Sequence, residues 1–391
     1  MLTTAPTQSS IPDSAIAAAD RQHLLDLPAA TPETVAQAPA AAQLTPTPTK
    51  PAKQRVEWVD LAKGLTITLV VLLHAVGMLT RNDLAPDFWT TINGFLQPIR
   101  MPLFFVASGL FAQGMLRMTW ATMLRSRVAH LFYLYTVWLL MFFVVHNLLP
   151  DDVSHKGYAK LSSVITGFTS PSNALWFIYG LALFAIVAKA IQRLPLVVQF
   201  GFAIALSVSA YGSHFIFDDL GFGWRNLGSY FVYFLLAIHA KPIIVRFSHL
   251  ANGPRLVAAL AAYTAVFVPI MVLDVLPMPE LKLVVTTVGL LLGVLVASAL
   301  VGTRAGNLFQ SIGTRTLPVY VMMDMLIAVV VYAFIKTSAV TSLLAVTVVA
   351  PLIVTALVVA IALALHGLMV RLGMNFMFEL HPAIRGTAKK A

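Results

Sequence analysis

The 391-residue chain contains no cysteine, which excludes a disulfide scaffold and any cysteine-ligated metal centre. It is also short of charge: Asp, Glu, Lys and Arg make up 11% of its residues, where a soluble domain carries roughly 25%. The deficit is uneven, because stretches such as 319–334 and 343–365 hold one charged residue or none. Runs of that length match the ~30 Å hydrocarbon core of a bilayer. Ten histidines are present, but no two stand at the spacing of an HExxH or similar ligand pair, so no resident metal is expected. Acidic residues are the scarcer sign, 16 against 26 basic, for a net charge of +10. In a chain that is 59% hydrophobic, with a mean hydropathy of +0.83, that excess reflects cytoplasmic loops and not a nucleic-acid partner. The fold class is all-α, a polytopic protein of the lipid bilayer.

Residues 1–54 are rich in Ala, Pro, Thr and Gln and hold eight of the 22 prolines. Such a segment buries too little apolar surface to offset its ordering entropy, and it reads as a disordered cytoplasmic tail. No apolar h-region precedes Lys50, so the first span, from about Trp58, is expected to act as a retained signal anchor. Ten apolar segments follow, at about 58–79, 89–113, 130–149, 173–192, 195–213, 227–240, 256–276, 283–302, 316–336 and 342–370. With the N-terminus placed inside, seventeen Lys and Arg fall on the inner side and six on the outer side. That asymmetry predicts ten spans with both termini cytoplasmic. The domain is expected over 55–375, with a basic cytoplasmic tail at 376–391. No segment outside the membrane is large enough for a second folded domain. The longest outer loop, about 150–172, contains Asp151, Asp152 and His155. If the protein is an enzyme, its active site lies in the membrane.

Ionisable groups inside spans are expensive and are functional candidates by default. The first span carries Glu57, Asp60, Lys63 and then, after an apolar run, His74. Lys63 and His74 are eleven residues apart, so at 100° per residue they share a face, about 16 Å apart along the axis. Asp60 lies within about 40° of the same line. His74 is a candidate general base or nucleophile; the alternative is a packing histidine bonded to a neighbouring helix. Lys63, near a helix end, can also snorkel to the interface. In the second span Arg100 stands between Pro98 and Pro102, followed by Ser108 and Gly109. Each proline removes a donor and frees a carbonyl. A broken helix at membrane depth must face protein or a cavity. Arg100 therefore needs an anionic ligand or a buried partner such as Asp60 or Asp324. Arg125, Arg127 and His130 form a third cluster at the inner mouth of the third span, behind an interfacial stretch 115–123. They suit a phosphate clamp or ordinary positive-inside anchoring. Weaker signals are Asp324, Asp274, the acid pair Asp218 and Asp219, the helix-end histidines His239 and His366, and the pair Trp176-Phe177.

These residues resemble the membrane acyltransferase-3 family. The run Trp58-Val59-Asp60-x-x-Lys63-Gly64, with His74 after ten intervening residues, is similar to the family's first-helix motif of Arg or Lys, ten residues, then His. Arg100-Met101-Pro102-Leu103-Phe104-Phe105 with Ser108-Gly109 resembles its second-helix signature. Trp176-Phe177 resembles a recurrent Trp-Phe, and Leu317-Pro318-Val319-Tyr320 a late segment, so that the likeness covers about 55–375. The chain departs from the pattern twice. The family's Arg-x-x-Arg at the third helix, implicated in contacting acyl-CoA, is here Arg127-x-x-His130. A histidine three residues after the late Tyr is here Met323, followed by Asp324. The first motif looks most like actinobacterial members that acetylate mycolate glycolipids such as trehalose monomycolate.

The resemblance implies a multi-pass O-acyltransferase of a bacterial cytoplasmic membrane, with acetyl-CoA as donor substrate and no permanently bound cofactor. Lys63, Arg125, Arg127 and His130 would meet the donor from the cytoplasm. His74 would accept the proton of an envelope glycan or glycolipid hydroxyl or carry the acyl group, and Arg100 would orient the thioester or steady the developing oxyanion. The competing reading is a transporter or flippase of an envelope lipid, with the proline-broken second span as its gate.

Overall fold

The computed structural model describes residues 57–150, 159–171, 173–212, 217, 219–273, 278–336 and 344–381. The 1–54 tail, Asp151, Asp152, Asp218, Asp274 and residues 382–391 of the basic tail lie outside the described residues. The described residues form helices and no strand. The longer ones are α1 (Glu57–Arg81), α2 (Phe88–Gly109), α3 (Ala129–Leu148), α4 (Leu161–Thr169), α5 (Trp176–Ile191), α6 (Leu196–Gly212) and α7 (Phe222–His239). They continue with α8 (Lys241–Ser248), α9 (Gly253–Val272), α10 (Pro279–Ala299), α11 (Arg304–Gly313), α12 (Thr316–Lys336) and α13 (Leu344–Arg371).

Each of the ten apolar segments contains one of these helices. Six are long and apolar enough to cross a membrane: α1, the run Trp120–Leu148 that ends in α3, α9, α10, α12 and α13. They become seven if α7 and α8, bent by 85° at their junction, are one span. α5 and α6 are apolar but shorter. The α7–α8 break has a local cause. Pro242 lacks the N–H that would bond Ile238, so α7 cannot continue.

α1 lies at the centre, packed by α2, α10, α11, α12 and α13. Among lipid tails the hydrophobic effect does not drive helices together, and close backbone approach through small residues takes its place. Gly64 and Gly313 supply that approach between α1 and α11. A Cβ on Gly64 would stand 1.7 Å from the carbonyl oxygen of Phe309, and one on Gly313 would stand 1.7 Å from that of Asp60. The start of α11 is fixed by Thr303, whose hydroxyl accepts from the Gly306 N–H at 2.9 Å. Asp60 and Lys63 are thus seated by a backbone seam.

In α2 the prolines leave the Gly94 and Pro98 carbonyls without their usual donors four residues on. Gly289 of α10 allows the two chains to close there, since a Cβ on it would lie 2.9 Å from the Pro98 oxygen. After α13 the chain turns at Gly373 (φ +78) and lays residues 374–380 on α3. Trp138 Nε1 donates to the Met377 carbonyl at 2.9 Å, and the Tyr133 hydroxyl to that of Phe376 at 2.8 Å.

Candidate active site

Asp60 and Lys63 sit one turn apart at the beginning of α1, with 4.0 Å between Nζ and the carboxylate. The Lys63 ammonium also lies 5.0 Å from the Phe111 ring centroid, and Lys241 approaches the same ring at 5.4 Å. Beside them opens a cavity of about 420 Å³ lined by Asp60, Lys63, Phe104, Ser108, Phe177 and Tyr320, among others. Residues that the sequence scatters over four helices share this one space.

Tyr320 shows how the wall is built. Its hydroxyl accepts from the Phe177 N–H at 3.0 Å and donates to the Ala174 carbonyl at 2.6 Å. Asn173 takes the Leu175 N–H at 2.9 Å and donates to Tyr135. The first turn of α5 therefore finds side-chain partners for N–H groups that a helix start leaves open. So fixed, Phe177 stacks on Phe104 with centroids 4.3 Å apart, and Trp176 packs on Phe105 at 5.8 Å and Tyr230 at 6.0 Å. The Trp-Phe pair and the Pro-x-Tyr segment, remote in sequence, meet here.

Arg100 is 1% exposed. Its Nη1 donates to the Leu69 carbonyl at 3.2 Å, while Nε is buried without a hydrogen-bond partner. Among the described residues no carboxylate pairs with it. Asp60 faces Lys63, and Asp324 faces the buried His146 at 3.4 Å. The structure therefore does not support the ion-pair reading of Arg100. Leu69 lies between Lys63 and His74, about 9 Å from the first and 7.5 Å from the second along the axis. Arg100 thus meets α1 at a level between Lys63 and His74, although Leu69 itself lies about 120° round the helix from the line that joins them.

His74 is partly exposed, and its Nδ1 lies 2.9 Å from the Val70 carbonyl. A carbonyl only accepts, so Nδ1 carries a proton, and Nε2 is the ring atom left to act as a base. Toward the far end of the bundle, where α2 and α10 begin, lies a second cavity of about 510 Å³ lined by Gln97, Pro98, Tyr211, Tyr230, Lys282 and Thr286, among others. On α2 the second cavity reaches to Pro98 and the first begins at Phe104, with Arg100 in the turn between.

Arg125 and Arg127 lie on a π-helical turn, Leu124–Val128, just before α3. Both are exposed, and neither lines these two cavities. His130 is engaged by the C-terminal segment, since its Nδ1 accepts from the Leu380 N–H at 3.3 Å. An arginine there, the residue of the resembled pattern, has only donors and could not make this bond. His130→Arg is thus expected to loosen the C-terminal segment. Sequence reasoning did not find His146, Tyr135, Asn173 or Tyr230. Each is recognisable only through a partner distant in the chain.

A sequence profile described as an acyltransferase domain (Acyl_transf_3) matches residues 56–365. The chain belongs to the acyltransferase-3 family. Among curated proteins this family member is similar to "Inner membrane protein YcfT" of Escherichia coli (strain K12), 27% identical over 177 residues, which is 40% of this chain and 49% of that protein. The chain thus spans about half the length of the curated relative it matches. No solved structure matches it. In this acyltransferase-3 protein the two helix signatures carrying His74 and Arg100 are joined by a direct bond, Arg100 to the Leu69 carbonyl.

Proposed function

We propose that the protein transfers an acetyl group from acetyl-CoA, taken from the cytoplasm, to a hydroxyl of an envelope glycan or glycolipid, a mycolate glycolipid such as trehalose monomycolate being the narrowest form of the reading. The observation that carries it is the buried Arg100, which meets α1 at a level between Lys63 and His74 and has no carboxylate partner among the described residues. A thioester carbonyl reaching this level would meet a cation as its oxygen takes up charge. His74 Nε2 takes the acceptor proton as the new C–O bond forms. The C–S bond then breaks, and the coenzyme A thiolate leaves and recovers that proton. Asp60, Lys63 and Ser108 would line the donor's approach, and Arg125 and Arg127 would draw its phosphates to the cytoplasmic face. The purified protein in nanodiscs should release coenzyme A from acetyl-CoA and acetylate envelope lipid extract, as mass spectrometry would read. Absence of both sinks the proposal.

Two further outcomes follow from this reading. Arg127→Ala should raise KM for acetyl-CoA about tenfold, the equivalent of one lost charge-assisted contact, with kcat nearly kept, because a phosphate clamp supplies uniform binding. A kcat loss with unchanged KM would remove Arg127 from the donor path. Ten spans with both termini in the cytoplasm, in a bacterial inner membrane, would put residue 160 outside. Lys160→Cys, the sole cysteine in such a variant, should then react with an impermeant maleimide in intact cells. Reaction only after permeabilisation would reverse the topology.

A further inference from the structure

The cavity of about 510 Å³ beyond Arg100 has a chemistry of its own. Among its described lining residues, Thr90, Thr91, Gln97, Tyr211, Tyr230 and Thr286 offer hydroxyl or amide groups, Lys282 offers a charge, and no carboxylate appears. Part of this polarity is satisfied within the protein. Thr286 donates to the Lys282 carbonyl at 2.7 Å and bonds the Tyr233 hydroxyl, and the Tyr211 hydroxyl reaches Thr286 at 3.5 Å.

Tyr230 is different. It is 4% exposed, and its ring is held between Phe105 at 5.7 Å and Trp176 at 6.0 Å. Its hydroxyl has no hydrogen-bond partner among the described residues, and the residue lines the cavity. The hydroxyl opens onto the cavity, so a donor at this place is available to a ligand.

The charges around the cavity agree in sign. The Arg100 guanidinium, which does not line the cavity, acts on Tyr230 electrostatically. Lys282 donates to the Tyr211 carbonyl at 3.3 Å, has no carboxylate partner among the described residues, and feels the charge of Arg225 beside it. The cationic Lys282 on the wall, with no carboxylate among the described lining residues, disfavours an amine. A neutral polyol would use the hydroxyls but leave Lys282 uncompensated where the dielectric is low.

We propose that this cavity binds a ligand bearing an oxyanion, a phosphate or carboxylate, beside hydroxyl groups, with Lys282 holding the anion and Tyr230 donating to the ligand from the floor. The assignment goes beyond acyl transfer and does not depend on it. If the occupant is also the acceptor, the acceptor is anionic.

The test is binding, so it stands apart from activity. The full chain in phosphatidylcholine nanodiscs would be titrated by saturation-transfer NMR with glucose 6-phosphate, methyl glucoside and glucosamine. Glucose 6-phosphate should bind at least about tenfold more tightly than the other two, equivalent to about 1.4 kcal/mol. Lys282→Gln should erase that preference and Lys282→Arg keep it. Tyr230→Phe, which retains the stacked ring, should weaken glucose 6-phosphate about tenfold. Replacing one-fifth of the lipid with phosphatidylglycerol separates two sources of the anion: displacement of the sugar phosphate assigns the site to a lipid phosphate, and undiminished binding assigns it to a soluble one. Equal binding of methyl glucoside or glucosamine, or a preference that survives Lys282→Gln, would overturn the proposal.

Discussion

His74→Gln should lower kcat for acyl transfer by about 10²–10⁴-fold, the usual contribution of a general base, while the protein stays folded and donor KM changes little. The substitution is chosen for its geometry. His74 spends Nδ1–H on the Val70 carbonyl at 2.9 Å and keeps Nε2 as the basic atom. The glutamine amide can still donate to that carbonyl, but near neutral pH it has no lone pair able to take a proton. A histidine that only packs would survive this exchange with near-normal turnover. Single-turnover transfer measured beside thermal stability in detergent distinguishes the cases. Near-normal transfer by a stable His74→Gln protein would remove the residue from catalysis.

Gly64→Ala should be among the most damaging single methyls at the described glycines. Its Cβ would stand 1.7 Å from the Phe309 carbonyl oxygen and 2.8 Å from the Gly313 nitrogen. Neither atom belongs to a flexible side chain, so α1 and α11 must separate. Overpacking costs typically 1–3 kcal/mol and occasionally more, and a backbone neighbour puts this site at or above the top of that range. Gly313→Ala meets the Asp60 carbonyl oxygen at 1.7 Å and should behave alike. Gly77→Ala is the control on the same helix. Nothing lies within 4 Å of its added Cβ, and alanine's higher helix propensity is worth up to about 1 kcal/mol. Equal melting temperatures for Gly64→Ala and Gly77→Ala would show that the seam is loose.

The helices were legible because hydropathy is a local property. Each apolar window became a helix, and the stripe from Asp60 through Lys63 to His74 followed from angular spacing on α1. Span identity was less so, because a window average treats Arg100, Pro98 and Pro102 as interruptions and does not register the bend after His239. The partners were not legible at all. Arg100 found a backbone carbonyl, which carries no sequence signature, where a carboxylate had been weighed. Asp324 found His146 on α3, a histidine with no local reason for notice. His130 was singled out through the third-helix pattern, which gave no sign that its ring accepts from Leu380, 250 residues further on. The second cavity also escaped, since its wall comes from five helices whose tyrosines and threonines look ordinary one helix at a time.

The seam at Gly64 has a temporal side. Arg100 is made 31 residues after Leu69, so α1 and α2 can pair while the ribosome is still near. Gly313 comes 249 residues after Gly64, a delay of roughly 12–50 s at ~5–20 residues per second. Through that interval Asp60 and Lys63 stand beside a seam that still lacks α11. The wall they share with Thr316 and Tyr320 cannot close until more than four-fifths of the 391 residues exist. A nascent chain halted before α11 would therefore hold the Arg100–Leu69 bond and still lack the closed cavity beside Asp60 and Lys63.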